Sequence, residues 1–196
     1  MLHRAVVVAS WMGGLNWLLL SLESLLGCKY PVVIVVNGTT DRDQSDLDAF
    51  ANFGTVLPLR TDHYECGAIR GVLEHTVYDE FVFLQDSIEV LDLMGLDQLF
   101  AVPHSACAMP RFECFLGKFR RDPLLRIEIP EPRTKDESIL LGEQWFLRAY
   151  QRVEPVEVLY PTFDDAHAKG IIEKFGRRNL VLENQYFRKW KGRWWL

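Results

Sequence analysis

The chain has 196 residues, of which 48% are hydrophobic and 25% are charged, and its net charge is −5 at pH 7. These values are close to those of an average soluble domain, so they exclude disorder of the whole chain and leave no room for two full domains. The charge is uneven, because residues 169–196 carry eight lysines and arginines against two glutamates. A basic segment on an acidic body is typical of a protein with a polyanionic partner, although a solvated terminal helix has the same composition.

The apolar stretches are too short to span or enter a membrane. Residues 15–26 form the longest of them, and its interrupting polar side chains keep it well below the roughly 18 apolar residues that a span needs. Residues 5–9 are too few for the apolar part of a signal peptide. The four cysteines form no CxxC pair, which favours buried free thiols over a zinc site or a disulfide framework. We therefore expect a cytoplasmic protein without a membrane partner.

The first part of the chain alternates strand and helix patterns. Residues 5–10 and 31–37 are β-branched runs without polar alternation, which is typical of parallel strands buried on both faces. Leucines recur between them at helical spacing up to a stop at Gly27. Residues 46–53 predict a short helix and residues 55–59 a third strand. The pattern indicates an α/β domain that begins with a βαβ unit.

A second unit ends in a polar cluster. Residues 64–77 have a helical period, and residues 81–84 form the most hydrophobic strand of this unit. Gln85, Asp86 and Ser87 follow that strand directly. In open parallel sheets, ligands bind in the crevice beyond the carboxyl ends of the strands. The position of these three residues therefore predicts a functional site.

The remaining elements are less regular. Residues 93–101 predict a helix, and residues 105–109 a short strand. A capping signal at residues 134–137 opens a helix that runs to about residue 150, and residues 156–160 predict a last strand. Between them, residues 110–132 are expected to form a loop-rich stretch with five cations: Arg111, Lys118, Arg120, Arg121 and Arg126.

Two motifs carry a resemblance to a known family. Gly67-Ala68-Ile69-Arg70-Gly71, followed after a helix by Phe81-Val82-Phe83-Leu84-Gln85-Asp86-Ser87, resembles the core of GT-A-type glycosyltransferases over roughly residues 5–110. The resemblance implies a Rossmann-type, mostly parallel sheet flanked by helices, with residues 1–168 as the catalytic domain. Residues 169–196 are expected to form a basic aromatic extension that packs on or near the site. The resemblance also implies a nucleotide-sugar donor, of which a UDP-sugar is the expected form.

In this family an acidic motif at the end of the fourth strand holds a divalent cation, Mn²⁺ or Mg²⁺, on the diphosphate of the donor. Asp86 is the matching residue here, and a hard cation suits its carboxylate and the phosphate oxygens. The chain departs from the usual pair of acids, because Leu84 and Ile88 cannot bind a metal. His167 resembles the C-terminal histidine that completes the metal site in some members. The alternatives are an Asp86 that caps a turn and an exposed His167.

The resemblance also implies a base and a set of donor-binding residues. Glu143 is similar to the acid that removes the acceptor proton in inverting members, although it fits an exposed glutamate of an amphipathic helix equally well. Trp145 beside it could stack on a sugar or a base, or pack in the core. The residues expected to bind the donor are Ser10, Trp11, Asn37, Arg70, Gln85, Ser87, Lys169, Arg177 and Arg178.

The C-terminal extension interleaves cations with aromatic residues from Arg177 to Trp195. This composition fits a nucleic-acid groove, and it also fits a tail packed on the domain by its tryptophans. The small size, the tail and the cations of residues 111–126 resemble compact viral glycosyltransferases that modify hydroxymethylated pyrimidines in DNA. We therefore expect DNA with a modified base as the acceptor, in the host cytoplasm if the chain is viral.

Two other functions are compatible with the sequence. A nucleic-acid-binding accessory protein on a degenerate transferase fold would explain the incomplete acidic motif. A nucleotidyltransferase shares the sheet topology but needs a basic, glycine-rich loop after the first strand, and Trp11-Met12-Gly13-Gly14-Leu15 has no basic residue.

Overall fold

The computed structural model describes residues 2–108, 116–159, 164–165 and 178–192. Its strands are β1 (Arg4–Trp11), β2 (Val32–Asn37), β3 (Thr55–Leu59), β4 (Glu80–Gln85), β5 (Ile88–Val90), β6 (Ser105–Cys107), β7 (Leu116–Arg120), β8 (Val156–Val158), β9 (Asp164–Asp165), β10 (Arg178–Glu183) and β11 (Phe187–Gly192). Its helices are α1 (Leu15–Glu23), α2 (Gln44–Asp48), α3 (Tyr64–His75), α4 (Met94–Ala101), α5 (Arg121–Leu124), α6 (Lys135–Glu137) and α7 (Leu147–Val153). A 3₁₀ turn, Met12–Gly14, precedes α1, and a π-helical segment, Ser138–Phe146, joins α6 to α7.

The main sheet confirms the predicted α/β fold. Its described strands lie in the order β3-β2-β1-β4-β7-β6-β8, and neighbours among β1 to β4 are parallel. These strands read as unbroken hydrophobic runs because both faces of the sheet are covered. One face packs on α1 and α4, and the other on α3 and α7. The predicted strands and helices of residues 4–108 all form, with ends shifted by a few residues.

Strand β7 was not predicted from the sequence. This strand lies in the stretch expected to be loop-rich, and it pairs antiparallel with both β4 and β6. Its sequence, LGKFR, gives no strand signal, because it holds a glycine and two cations. The side chain of Lys118 is nevertheless fully buried, with Glu80 at 3.8 Å across the pair of strands. The ammonium of Lys118 also donates to the carbonyl oxygen of Val102, so both this hydrogen bond and the nearby carboxylate offset the cost of burying the charge.

Lys118, Arg120 and Arg121 make contacts within the protein that stabilise the fold. Arg120 forms an ion pair with Glu154 at 3.1 Å, and Arg121 donates to the carbonyl oxygens of Leu73 and Thr76 at the end of α3. Among the cations expected to form a nucleic-acid cluster, Arg126 is exposed, and Arg111 lies outside the described residues.

The described part of the basic extension forms a hairpin, β10–β11, which the sequence analysis did not predict. Strand β11 pairs antiparallel with β5, and β10 with β9, so the hairpin belongs to a second sheet with the order β5-β11-β10-β9. Trp190 is 6% exposed and packs against Trp17 of α1. Trp190 therefore packs on the domain, which was one of the two roles considered for the aromatic residues of the tail. The division at residue 168 stays a prediction.

Two smaller predictions are confirmed. Thr134 caps the helix that follows it, because its hydroxyl accepts a hydrogen bond from the backbone N–H of Glu137 at 3.2 Å. Cys66 and Cys107 are buried, as predicted, whereas Cys28 is only partly buried and Cys114 lies outside the described residues. Within the described ranges, no helix has the length and hydropathy needed to span a bilayer.

Candidate functional site

The sheet changes direction between β1 and β4. The chain leaves β1 through α1 towards β2 on one side, whereas α3 carries it back to β4 on the other side of β1. The carboxyl ends of two such strands leave a crevice between their diverging connections, which is where α/β proteins bind ligands. Ser10 and Asp86 meet at this point, and the hydroxyl of Ser10 donates to the carboxylate of Asp86 at 2.7 Å. The structure thus brings together two of the predicted site residues.

Asp86 lies in a setting that disfavours its charged form. Burial raises its pKa to about 6, although the hydrogen bond from Ser10 and the positive charge of Lys189 pull the pKa in the opposite direction. Its backbone N–H donates to the carbonyl of Ala9 at 2.9 Å, which extends the pairing of β1 and β4. A perturbed carboxylate at a crevice is a candidate functional group.

Gly14 lets the turn after β1 approach this carboxylate. A Cβ atom on Gly14 would lie 2.5 Å from Oδ2 of Asp86 and 2.9 Å from Oγ of Ser10. Gly14 thus lets the turn pack closely on the Asp86 and Ser10 side chains, and a larger residue would displace them.

Substituting Gly14 with alanine should impair the site more than the fold. The added methyl group displaces the Asp86 carboxylate, so we expect at least a tenfold loss of any activity that depends on Asp86, with a small change in melting temperature. Gly27→Ala is the matched control: no atom lies within 4 Å of its added Cβ, but its φ of +84° is unfavourable for alanine. That control should lose about 1 kcal/mol of stability and keep its turnover. Equal turnover in both variants would contradict the placement of Gly14.

Asn37 provides a buried acceptor at the same edge. It ends β2, it is 3% exposed, and its amide N–H₂ donates to the carbonyl oxygens of Ser10 at 3.4 Å and Tyr64 at 3.1 Å. Its Oδ1 is buried and has no hydrogen-bond partner in the described part of the chain. Buried polar atoms are nearly always paired, so an unpaired one at a site edge fits an N–H or O–H group of a ligand.

Glu65 was missed by sequence reasoning. It lies in the first turn of α3, accepts a hydrogen bond from the Gln85 amide at the end of β4, and accepts another from Ser138 at 3.1 Å. It thereby ties the start of the π-helical segment to the end of β4. No local pattern distinguishes it from any other acidic residue near a helix start. The non-glycine φ of +52° at neighbouring Tyr64 marks the same region as locally strained.

Lys189 was also missed, and it comes from the C-terminal hairpin. Its ammonium donates to the Gln85 side-chain oxygen and, at 2.8 Å, to the hydroxyl of Ser87. The two predicted residues that flank Asp86 are thus both held by one lysine that is about a hundred positions away in the chain.

The other predicted donor-binding residues lie in different settings. Trp11 is 47% exposed at the end of β1, with its ring over Gly13, so one face remains open to a ligand. Arg70 donates to the carboxylate of Glu131 and to the carbonyl of Ile129 at 2.5 Å, which ties α3 to the segment before α6. Its role in donor binding stays a prediction. His167, Lys169 and Arg177 lie outside the described residues, as does the side chain of Arg178.

The predicted base, Glu143, lies in the π-helical segment, and its side chain is outside the described part of the structure. Gly142 next to it is buried, and a Cβ there would lie 3.3 Å from Sγ of Cys66. The segment therefore packs closely on α3. Trp145 is 45% exposed, so it does not pack in the core. π-helical turns are rare and are frequent at functional sites.

The described residues do not by themselves make a complete cation site. No group of three or more His, Cys, Asp or Glu side chains within the described ranges is arranged to hold a metal ion. Asp86 offers one carboxylate, and its neighbouring oxygens are the hydroxyls of Ser10 and Ser87, of which the second already accepts from Lys189. Hard cations take six or more oxygen ligands, several of them from carboxylates or phosphates.

The fold is similar to that of solved nucleotide-diphospho-sugar glycosyltransferases. A mannosyltransferase from Pyrobaculum calidifontis, solved with GDP-Man and Mn²⁺, has a TM-score of 0.61 at 15% identity over 81% of this chain and 55% of that chain. TarS 1–349 from S. aureus in complex with UDP has a TM-score of 0.58 at 14% identity over 82% of this chain and 59% of that chain. The chain thus spans between half and two thirds of the length of these two proteins.

A nucleotidyltransferase has a similar fold too. A cytidylyltransferase from Leptospira borgpetersenii has a TM-score of 0.58 at 14% identity over 83% of this chain and 77% of that chain. No protein-family model matches the sequence. No curated protein is similar to it in sequence either. The structural similarity establishes the GT-A-like fold, as predicted. Sequence identities this low leave the reaction to be argued from the site.

Proposed function

We propose that the protein transfers a sugar from a nucleotide-diphosphate sugar, expected to be a UDP-sugar, to an acceptor hydroxyl. The observation that carries this proposal is the contact of Ser10 and Asp86 at the point where the sheet changes direction. A nucleotide placed there would lie along the carboxyl ends of β1, β2 and β4. The exposed ring of Trp11 is then available to its base or ribose, and the unpaired, buried oxygen of Asn37 lies at the same edge of the sheet.

Glu143 is the base in this proposal. A carboxylate at that position would take the proton of the acceptor hydroxyl as its oxygen attacks the anomeric carbon, while the bond to the diphosphate breaks. The π-helical segment that carries it is tied to the end of β4 through Ser138 and Glu65, which supports its place beside the donor. A divalent cation on Asp86 and His167 stays a prediction, and no step above depends on it.

For the acceptor we propose a hydroxymethylated pyrimidine in DNA. The contacts of Arg188, Lys189 and Trp190 within the protein remove part of the support for this acceptor. A different surface supports it: Trp145, exposed by 45%, lines a groove of about 380 Å³ with Arg148 and Arg152 on the same helical region. An exposed ring beside two cations is what stacking on a base and contact with phosphates require.

A nucleotidyltransferase activity has less support. The cytidylyltransferase shows that the fold also serves that reaction class, but the turn Met12–Gly14 of this chain carries no lysine or arginine to hold a nucleoside triphosphate. A non-catalytic DNA-binding protein is the remaining alternative, and it predicts salt-dependent DNA binding without turnover.

The test is an assay with UDP- and GDP-sugars, in Mn²⁺ and in EDTA, with and without DNA that contains 5-hydroxymethylcytosine. We expect release of the nucleoside diphosphate and a sugar-sized mass gain on the modified nucleoside. Donor hydrolysis without labelling of DNA would keep the transferase and discard this acceptor. Absence of donor binding, together with DNA binding, would favour the accessory protein. Incorporation of a nucleotide from CTP or UTP would favour the nucleotidyltransferase.

A further inference from the structure

The C-terminal hairpin inserts a cation into the crevice. Lys189 of β11 reaches over the end of β4, where its ammonium contacts Gln85 and Ser87 on either side of Asp86. Its positive charge lowers the pKa of Asp86, which places it within electrostatic reach of that carboxylate. The hairpin is therefore part of the site and not an appendage.

The position of Lys189 is held by other contacts of the hairpin. Its register on β5 pairs Lys189 with Ile88, and the backbone N–H of Trp190 donates to the carbonyl of Ser87 at 2.9 Å. The indole N–H of Trp190 donates to Glu89 at 2.9 Å, and its ring packs on Trp17. These contacts anchor β11 without the Lys189 side chain, so its ammonium is not needed to dock the hairpin.

Neighbouring Arg188 has different contacts from those of Lys189. Successive side chains of a strand point to opposite faces. Arg188 forms ion pairs with Glu183 at 3.0 Å and Glu89 at 3.6 Å, both within the hairpin sheet. Lys189 contacts an amide oxygen and a hydroxyl on either side of Asp86. Phosphate oxygens carry charge and form stronger hydrogen bonds with an ammonium than neutral oxygens do, so a diphosphate in the crevice would gain a charge-assisted contact with Lys189.

We propose that Lys189 binds the diphosphate of the donor directly, so that part of the affinity for the diphosphate needs no divalent cation. The proposal rests on the proposed function, because it requires a nucleoside diphosphate at the ends of β1 and β4. The lysine would also offset the negative charge that builds on the diphosphate as the bond to the sugar breaks. Lys189 thus adds to the site a residue that lies outside the acidic motif.

The test is equilibrium binding by calorimetry of UDP, UMP, GDP and GMP in EDTA to the full chain. We expect the wild type to bind one nucleoside diphosphate about tenfold to a hundredfold more tightly than its monophosphate, the range for hydrogen bonds to a charged group. Lys189→Met and Lys189→Gln should bring this ratio close to one. Lys189→Arg should keep most of it, and Arg188→Met, the control on the opposite face, should leave it unchanged.

Each outcome decides the proposal. A ratio that is unchanged in folded Lys189→Met or Lys189→Gln overturns it and leaves the proposed function standing. A preference for the diphosphate that appears in the wild type only after Mn²⁺ is added overturns it as well. A wild type that binds neither diphosphate under any condition overturns the proposed function and this inference together. Circular dichroism on each variant separates a lost contact from a lost fold.

Discussion

Replacing Asp86 with asparagine is expected to abolish sugar transfer and to stabilise the nucleotide-free protein at neutral pH. The loss of transfer, at least a hundredfold, follows from the position of the carboxylate at the point where the sheet changes direction, in contact with Ser10. The gain in stability follows from its burial, which raises its pKa from 3.8 to about 6. A site that is arranged for a ligand is often a strained one in the free protein.

The effect of Asp86→Asn on the free energy of unfolding depends on pH. The pKa of Asp86 is higher in the folded state than in the unfolded chain, so between about pH 4 and pH 6 the folded state binds more protons. The free energy of unfolding therefore falls as the pH rises through this window, and the whole cost is present above pH 6. The neutral amide of Asp86→Asn avoids this cost. We expect it to be more stable than the wild type by about 1–2 kcal/mol at pH 7, with allowance for partial solvent screening, and by much less at pH 4.

The measurement is urea unfolding of both proteins at pH 4 and pH 7 in EDTA, alongside the transfer assay. Asp46→Asn, at an exposed position of α2, is the control and should change neither stability nor transfer appreciably. A variant that loses transfer and is also less stable at pH 7 would show that Asp86 serves the fold. A variant that keeps transfer would remove Asp86 from the site.

The second large effect is expected at Glu80. Its side chain is 4% exposed and faces three cations: Arg4 at 3.0 Å, Lys118 at 3.8 Å and Arg120 at 3.9 Å. Glu80→Ala removes the carboxylate and leaves the fully buried ammonium of Lys118 without that partner. Breaking a buried ion pair from one side costs about 3–5 kcal/mol, and the hydrogen bond from Lys118 to the carbonyl oxygen of Val102 compensates the remaining charge only in part.

The reverse substitution is expected to be mild. Lys118→Met removes the buried charge and keeps a chain of similar length, while Glu80 retains Arg4 and Arg120. We expect a change of at most about 1–2 kcal/mol. Urea midpoints of the two variants and of the wild type measure the difference. Equal losses of stability in the two variants would contradict the expected extra cost of leaving the Lys118 charge buried without Glu80.

The same pair predicts a response to alkaline pH. Burial lowers the pKa of Lys118, so the unfolded chain holds a proton that the folded protein releases between this lowered pKa and 10.5. Glu80 raises the pKa of Lys118, so its removal lowers that pKa further. The stability of Glu80→Ala should therefore recover relative to the wild type as the pH rises from the Lys118 pKa of the variant to that of the wild type. Lys118→Met has no such group and should show no recovery.

The sequence alone determined the framework of the sheet and the location of Asp86. Strands β1 to β4 are recognisable because each is an apolar run buried on both faces, and the helices between them have an apolar stripe that must face the sheet. Hydrophobic periodicity is a local property, so reading it requires no knowledge of the fold. The polar residues after β4 then follow from the rule that ligands bind at the carboxyl ends of parallel strands.

Only the tertiary structure decided what surrounds Asp86. Strand β7 pairs with β4 and buries Lys118 beside Glu80. Trp190 packs on Trp17 and hydrogen-bonds Glu89, which helps to hold β11 where Lys189 reaches the crevice. Each of these contacts joins residues tens of positions or more apart in the chain. Their energy comes from desolvation and pairing in a place that exists only after the sheet has formed, so no local pattern encodes them. The framework was therefore readable from the sequence, whereas the cation beside the carboxylate was not.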